Sequence, residues 1–372
     1  MKKALVPSLL LFLGFVLNTW TVKAQEKVVG YIVAGNVDDK FNEITAKKLT
    51  HVNYAFANIE KGKIVEGSPK DNERLKKING LKQDNPDLKI LISVGGWAWS
   101  GGFSKAVANK INRERFANSG ISFLKKHNID GIDLDWEYPG QPGAGNLHSP
   151  EDKQNFTTIL KLFRKKLDSL GKVNSKNYLL TIATAANKEY LKHVELGKIH
   201  PHLDFINIMS YDYRGGWNNS TSHHTNLYDS ETDPETYKRS TNTAVKEHLA
   251  TGVPSEKLVI GVAFYGRGWH ETENKNAGLH QRAFGKSFSI NYREIKDSLK
   301  DGTYSRFWDK SARAPYLWRK DTGTFITYDD PESIRQKVNF IKEHNLGGIM
   351  FWQYHGDDGE LLETLYTEFK KQ

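Results

Sequence analysis

The segment "DGIDLDWEYPG" over residues 130–140 sets four acids within eight positions: Asp130, Asp133, Asp135 and Glu137. Ile132, Leu134 and Trp136 interleave with the last three. In a β-strand, residues two apart share a face at about 7 Å spacing, so Asp133, Asp135 and Glu137 would point one way and the apolar three the other. Three close carboxylates in a water-poor interior cannot all ionise at neutral pH, so at least one keeps its proton. A Glu with raised pKa at the end of such a row is suited to general acid catalysis, with the Asp residues as its support. Two other uses compete. Oxygen ligands in a barrel suit Mg²⁺ or Ca²⁺, although the spacing lacks a calcium-loop pattern. A solvated acidic edge is the other, and the apolar residues on the second face speak against it.

The elements that must position these acids are legible as eight β-rich runs with helical stretches between them. They are "KVVGYIV" (27–33), "THVNYAFANI" (50–59), "LKILISVGGW" (88–97), "IDGIDLDWEY" (129–138), "YLLTIATAA" (178–186), "DFINIMSYDY" (204–213), "KLVIGVAFYG" (257–266) and "LGGIMFWQYH" (346–355). Several begin as nearly unbroken apolar runs, the mark of parallel strands covered on both sides. Between them, Phe156, Ile159, Leu160, Phe163 and Leu167 recur at three- and four-residue spacing, one face of a helix. Alternation of this kind predicts an α/β fold, a (β/α)8 TIM barrel. A doubly wound sheet is the rival, but no GxGxxG follows the first strand. Polar and aromatic residues gather at the C-terminal ends of the strands, the face on which barrel active sites form. Residues 270–327 are too long for one helix and carry β-like pieces and Trp308 and Trp318, which predicts a small α+β insertion between strands seven and eight.

The chain of 372 residues has no Cys, so neither a disulfide framework nor a thiol for a lipid anchor. Lys2 and Lys3, the apolar stretch "ALVPSLLLFLGFVL" and "VKA" at 22–24 read as a signal peptide over residues 1–24, leaving a secreted catalytic domain over 25–372 that begins near Gln25. Its removal lowers the formal charge from +9 to +6. The basic residues are scattered along solvated helix faces such as "KLFRKKLDSLGKVNSK", so no nucleic-acid partner is expected, and no membrane once the leader is gone. A monomer is expected. Aromatics at 12% suggest ring-lined surfaces.

"DGIDLDWEYP" resembles the DxxDxDxE signature of glycoside hydrolase family 18, the chitinase family. "SVGGW" (93–97) is similar to that family's strand-three motif, "MSYD" (209–212) to its strand-six motif and "GVAFYGRGW" (261–269) to its strand-seven motif. "YDDPESIRQKV" (328–338) and "GGIMFWQYHGDD" (347–358) resemble its last helix and strand eight, all in order over about residues 28–358. The insertion resembles the extra α+β domain of the deep-cleft branch.

The resemblance implies a secreted chitinase that cuts β-1,4 bonds between N-acetylglucosamine units with retention, a substrate-assisted exception among glycosidases. Glu137 would protonate the glycosidic oxygen while the sugar's own acetamide carbonyl attacks the anomeric carbon. Asp135 would orient the acetamide, and Asp133 would sit behind it and share a proton. Tyr211 would donate to the acetamide oxygen, and Asp212 would bind sugar and tune the acid. Trp352 would floor the scissile-side sugar, and Tyr31, Phe56, Met209, Tyr265, Arg267 and Met350 would line the pocket. Trp97 and Trp217 would be platforms on the leaving-group side. Asp130, Ser93, Gly95 and Gly96 fall to structural roles. No cofactor or metal is implied, and the adjacent His223 and His224 read as structural. Endo-β-N-acetylglucosaminidases share the acidic signature, and lectins of the family bind chitin oligomers without cutting. In those lectins the acid Glu is generally replaced, whereas Glu137 is present here. The stretch "GYIVAGN" after strand one lacks the Trp that many members carry there, which leaves endo or exo action open.

Overall fold

The computed structural model describes residues 26–37 and 41–371; the expected leader over residues 1–24 lies outside them. Strands β1 (Lys27–Val33), β2 (His51–Glu60), β3 (Lys63–Val65), β4 (Lys89–Gly95), β5 (Gly131–Asp135), β6 (Leu179–Ala185), β7 (Phe205–Met209) and β8 (Leu258–Ala263) come first in the chain. They are followed by β9 (Tyr265–Trp269), β10 (Ser287–Asn291), β11 (Ser305–Asp309), β12 (Ala314–Arg319), β13 (Thr324–Thr327) and β14 (Gly348–Trp352). The parallel order β1-β14-β8-β7-β6-β5-β4-β2 closes through a β1–β2 pairing, so the eight strands form the expected (β/α)8 barrel. The short β3 only hairpins antiparallel onto the end of β2.

The main core lies between the outer barrel face and the helices. Helix Asp152–Asn174 turns Phe156, Ile159, Leu160, Phe163 and Leu167 inward, all essentially solvent-free. Burial of each such side chain contributes roughly 1.5–3 kcal/mol. Helix Lys110–His127 begins where the Asn109 side chain accepts from Asn112 N, and ends at Asn128 in the left-handed region (φ 50°), two ordinary capping solutions for orphan backbone groups. Ile132 and Leu134 of β5, and Trp136 just beyond it, face this outer core, and Trp136 stacks on Phe103 with centroids 5.0 Å apart. The acids alternate to the barrel interior.

A second sheet, ordered β10-β9-β13-β12-β11 and antiparallel throughout, stands beside the barrel. It starts at Tyr265, inside the run read from the sequence as strand seven. The barrel strand β8 stops at Ala263, and Phe264 is the pivot: its ring stacks on Phe351 at 4.2 Å and its N–H donates to Trp352 O. Tyr265 and Arg267 therefore belong to the first strand of the second sheet, not to the barrel. Strand β5 likewise ends at Asp135, so Glu137 lies two residues beyond the end of the strand rather than within it.

Candidate active site

The C-terminal rim of the barrel opens into a cleft of about 1330 Å³. At its base the acids are unequal. Asp133 is fully buried and accepts four hydrogen bonds. Tyr31 Oη (2.8 Å) and Ser93 Oγ (2.7 Å) donate to Oδ2, and Thr181 Oγ1 (2.6 Å) and Asn207 Nδ2 (3.4 Å) donate to Oδ1. Burial raises its pKa, and these donors pull against that rise. Asp133 is thus engaged by four neutral donors from β1, β4, β6 and β7.

Asp135, on the same face two residues on, has no such help. Its Oδ1 is buried without a hydrogen-bond partner among the described residues. Burial, then the charges of Glu137 and Asp133, push its pKa well above the carboxylate range. Burial lifts Glu137 to about 7; a hydrogen bond from Tyr138 opposes this, and the charge on Asp212 adds to it. The carboxyl is placed by its own backbone. Glu137 N donates to Ser100 Oγ (2.9 Å), and Ser100 Oγ donates in turn to Gly96 O and Asp135 O. Gly95 (φ 102°) permits this turn, since a Cβ there would stand 2.4 Å from Asp135 O. At Gly96 (φ 74°) a Cβ would meet the Phe56 ring at 2.6 Å.

Asp212, half-buried with φ 58°, is the opposite case. Arg267 binds it through two hydrogen bonds, Nε to Oδ1 (2.8 Å) and Nη2 to Oδ2 (2.6 Å), and Tyr265 Oη donates to Oδ1 at 2.7 Å. The buried His224 holds Nδ1 3.6 Å from the same oxygen. Burial would raise Asp212, but His224 and the bidentate arginine outweigh it and hold the acid below its usual range. Asp212 is thus a fixed negative charge at the edge of the Glu137 site. His223 turns away, to Asp309 at 3.2 Å.

Aromatic side chains build the walls. Trp352, at the end of β14, stacks on Phe56 (5.6 Å, 21°) and tilts against Tyr31 (5.9 Å). Tyr211 packs on Tyr265 and donates to Met350 Sδ at 3.8 Å. Met209 lines the cleft at the end of β7. Trp97 and Trp217 are 55% and 60% exposed, large apolar faces left open to a ligand, and Arg267 lies over the Trp217 ring at 5.4 Å. Asp130 sits at the other end of β5, where it accepts from Ile90 N and pairs with Lys82 and Lys176, far from this chemistry. Sequence reasoning missed Thr181, Asn207, Ser100 and Tyr138, and read His224, which lies against Asp212, as structural. The first two face the barrel interior from β6 and β7, and the period-two pattern of those strands was the only signal that could have found them.

Among the described residues no group of three or more His, Cys, Asp or Glu side chains is arranged to hold a metal ion, and no helix is long and apolar enough to cross a membrane.

The model of the glycosyl hydrolases family 18 matches residues 27–357. Chitinase A1 of Niallia circulans is 37% identical over an alignment covering 94% of this chain and 60% of that protein, so the chain spans less than two thirds of that relative's length. Chitinase B of Serratia marcescens is 30% identical, with 87% of this chain and 77% of that protein covered. Among solved structures, a family 18 N-acetylglucosaminidase from Paenibacillus barengoltzii superposes with a TM-score of 0.87 at 40% identity, covering 92% of this chain and 99% of that one. With the acidic row, the barrel and the second sheet in place, the chain belongs to glycosyl hydrolase family 18.

Proposed function

We propose that the protein is an exported chitinase that hydrolyses β-1,4 bonds between N-acetylglucosamine units with retention, using the substrate's acetamide as nucleophile. The observation that carries this reading is the unequal charging of the buried acids. Burial lifts Glu137 to about 7, where a general acid is most effective, and among the described residues Asp135 beside it has neither a cation nor a hydrogen-bond donor at Oδ1. A carboxyl held protonated is a poor nucleophile and a good hydrogen-bond partner. Asp135 therefore suits orienting an acetamide as its carbonyl oxygen closes on the anomeric carbon. Meanwhile Glu137 gives its proton to the departing glycosidic oxygen, then accepts one from the water that opens the oxazolinium-like intermediate.

Tyr211 completes this reading. Its hydroxyl donates to a thioether, a weak acceptor that a substrate carbonyl would readily replace. The Trp352 ring, braced by Phe56 and Tyr31, offers an apolar face to the sugar whose bond is cut. Trp97 and Trp217 would stack on leaving-group sugars. Export rests on the basic and apolar leader over residues 1–24. A second reading, an N-acetylglucosaminidase on another N-acetylated glycan, draws support from the Paenibacillus barengoltzii enzyme; the long ring-lined cleft favours a polymer chain.

Glu137→Gln is the direct test. Turnover of N-acetylglucosamine oligomers should fall by about 10²–10⁴-fold, the usual worth of a general acid, with oligomer affinity and the circular-dichroism melt largely kept. A variant that cuts normally would overturn the assignment.

A further inference from the structure

The loop after β4 carries two tryptophans with one residue between them, and they turn to different neighbours. Trp97 meets Tyr138 edge-on at 6.4 Å, on the side assigned above to leaving-group sugars. Trp99 lies instead against the end of β2. A Cβ on Gly67 would stand 2.4 Å from the Trp99 ring and 2.7 Å from Phe56 O, so the absence of a side chain at 67 lets the indole lie flat there. Phe56 in turn stacks on Trp352. Trp99 thus packs beside the β2 segment whose Phe56 ring stacks on Trp352, whereas Trp97 turns to Tyr138. Trp99 is 36% exposed and lines the same cleft.

A polar group lines the same cleft. Arg74, from helix Asp71–Gly80, also lines the cleft. Its Nη1 is 3.4 Å from both Asp71 Oδ1 and Ser68 Oγ. Asp71 is buried and fixed by hydrogen bonds from Tyr54 Oη (2.7 Å) and Ser68 N (2.9 Å), which makes it a rigid anchor for the guanidinium. Among the described residues, the loop after β1 lines the cleft with the small wall of Val33, Ala34 and Gly35. An indole face and a fixed guanidinium lining one cleft suit one ligand class: a pyranose that stacks its C–H face and offers hydroxyl or acetyl oxygens to N–H donors.

We propose that Trp99 and Arg74 form an outer sugar subsite on the glycone side, which takes one more N-acetylhexosamine beyond the sugars held over Trp352 and favours it over a cationic glucosamine. The proposal rests on the chitinase reading above and adds a residue pair that sets chain length and acetylation preference. An ammonium group placed near the Arg74 guanidinium is repelled, whereas an acetamide oxygen is a hydrogen-bond acceptor.

The test compares kcat/KM on two substrates, an aryl glycoside of the N-acetylglucosamine disaccharide and the N-acetylglucosamine hexamer. Trp99→Ala and Arg74→Met should each lower kcat/KM on the hexamer by roughly 3–10-fold, about 0.7–1.4 kcal/mol, chiefly through KM, and leave the disaccharide glycoside within twofold. Trp99→Phe, which keeps a ring, should recover much of the loss. Arg74→Met should also narrow the preference for a fully acetylated hexamer over one carrying glucosamine at its non-reducing end. Equal losses on both substrates would mean a purely structural wall and overturn the proposal, as would unchanged rates on both. If the unmodified protein cuts neither substrate, the chitinase reading itself fails, a different result from any of these.

Discussion

Two buried carboxylate groups in this barrel are treated in opposite ways. Asp329 is 1% exposed and faces Lys337, itself solvent-free, with Nζ 2.8 Å from Oδ1 and 2.7 Å from Oδ2. Thr225 Oγ1, Ser333 Oγ and Ala263 N also donate to it. This group joins the end of β8, the loop after β7 and the helix Pro331–Glu343, all immediately behind the pivot at Phe264. The row Asp133–Asp135–Glu137 is as deeply buried, yet among the described residues no lysine or arginine pairs with any of the three. Both places are dry, so a bare charge is costly in each. Asp329 is compensated by a lysine and several donors and locks the backbone; Asp135 and Glu137 have no cation beside them, and burial drives their pKa values up, which leaves a proton that can be delivered. Asp212 stands between the two regimes: its charge is held by Arg267 but directed at Glu137.

The largest effect that would test the contrast is on stability. Lys337→Met leaves Asp329 buried without its cation, so unfolding free energy in urea should drop by about 3–5 kcal/mol. Adding Asp329→Asn should return part of the loss. A drop below about 1 kcal/mol would mean that this pair does not lock the barrel. A smaller effect is expected at the edge of the acid row. Glu137 works as an acid only while protonated, so activity should be lost as pH rises through about 7. Asp212→Asn removes a charge that raises Glu137, so the alkaline limb of kcat/KM should move to lower pH, with a rate loss of a few-fold just above neutrality. A limb that stays put or moves upward would show that Asp212 does not tune the acid.

The barrel was legible in the sequence because parallel strands and amphipathic helices leave strong periodic signals. Phe156 to Leu167 on one helix face are an example. The acid row was legible because its members are neighbours in the chain. What surrounds it was not, since Ser93, Thr181, Asn207 and Tyr31 reach Asp133 from four strands that meet only when the barrel closes. Period two also overran the strand. Trp136 and Glu137 continue the alternation in type, but the β-ladder stops at Asp135. The same happened at Tyr265 and Arg267, where an aromatic, glycine-rich run continued past Phe264 into a different sheet. Lys337 reads as one polar residue in "SIRQKVNF"; only tertiary packing places it beside Asp329.

The central claim is that the nucleophile belongs to the substrate while the protein withholds charge from its own acids. Parallel hydrolysis of fully N-acetylated and fully deacetylated glucosamine hexamers tests it most directly. The acetylated chain should be cut and the deacetylated one left essentially intact; comparable rates on both would contradict the account.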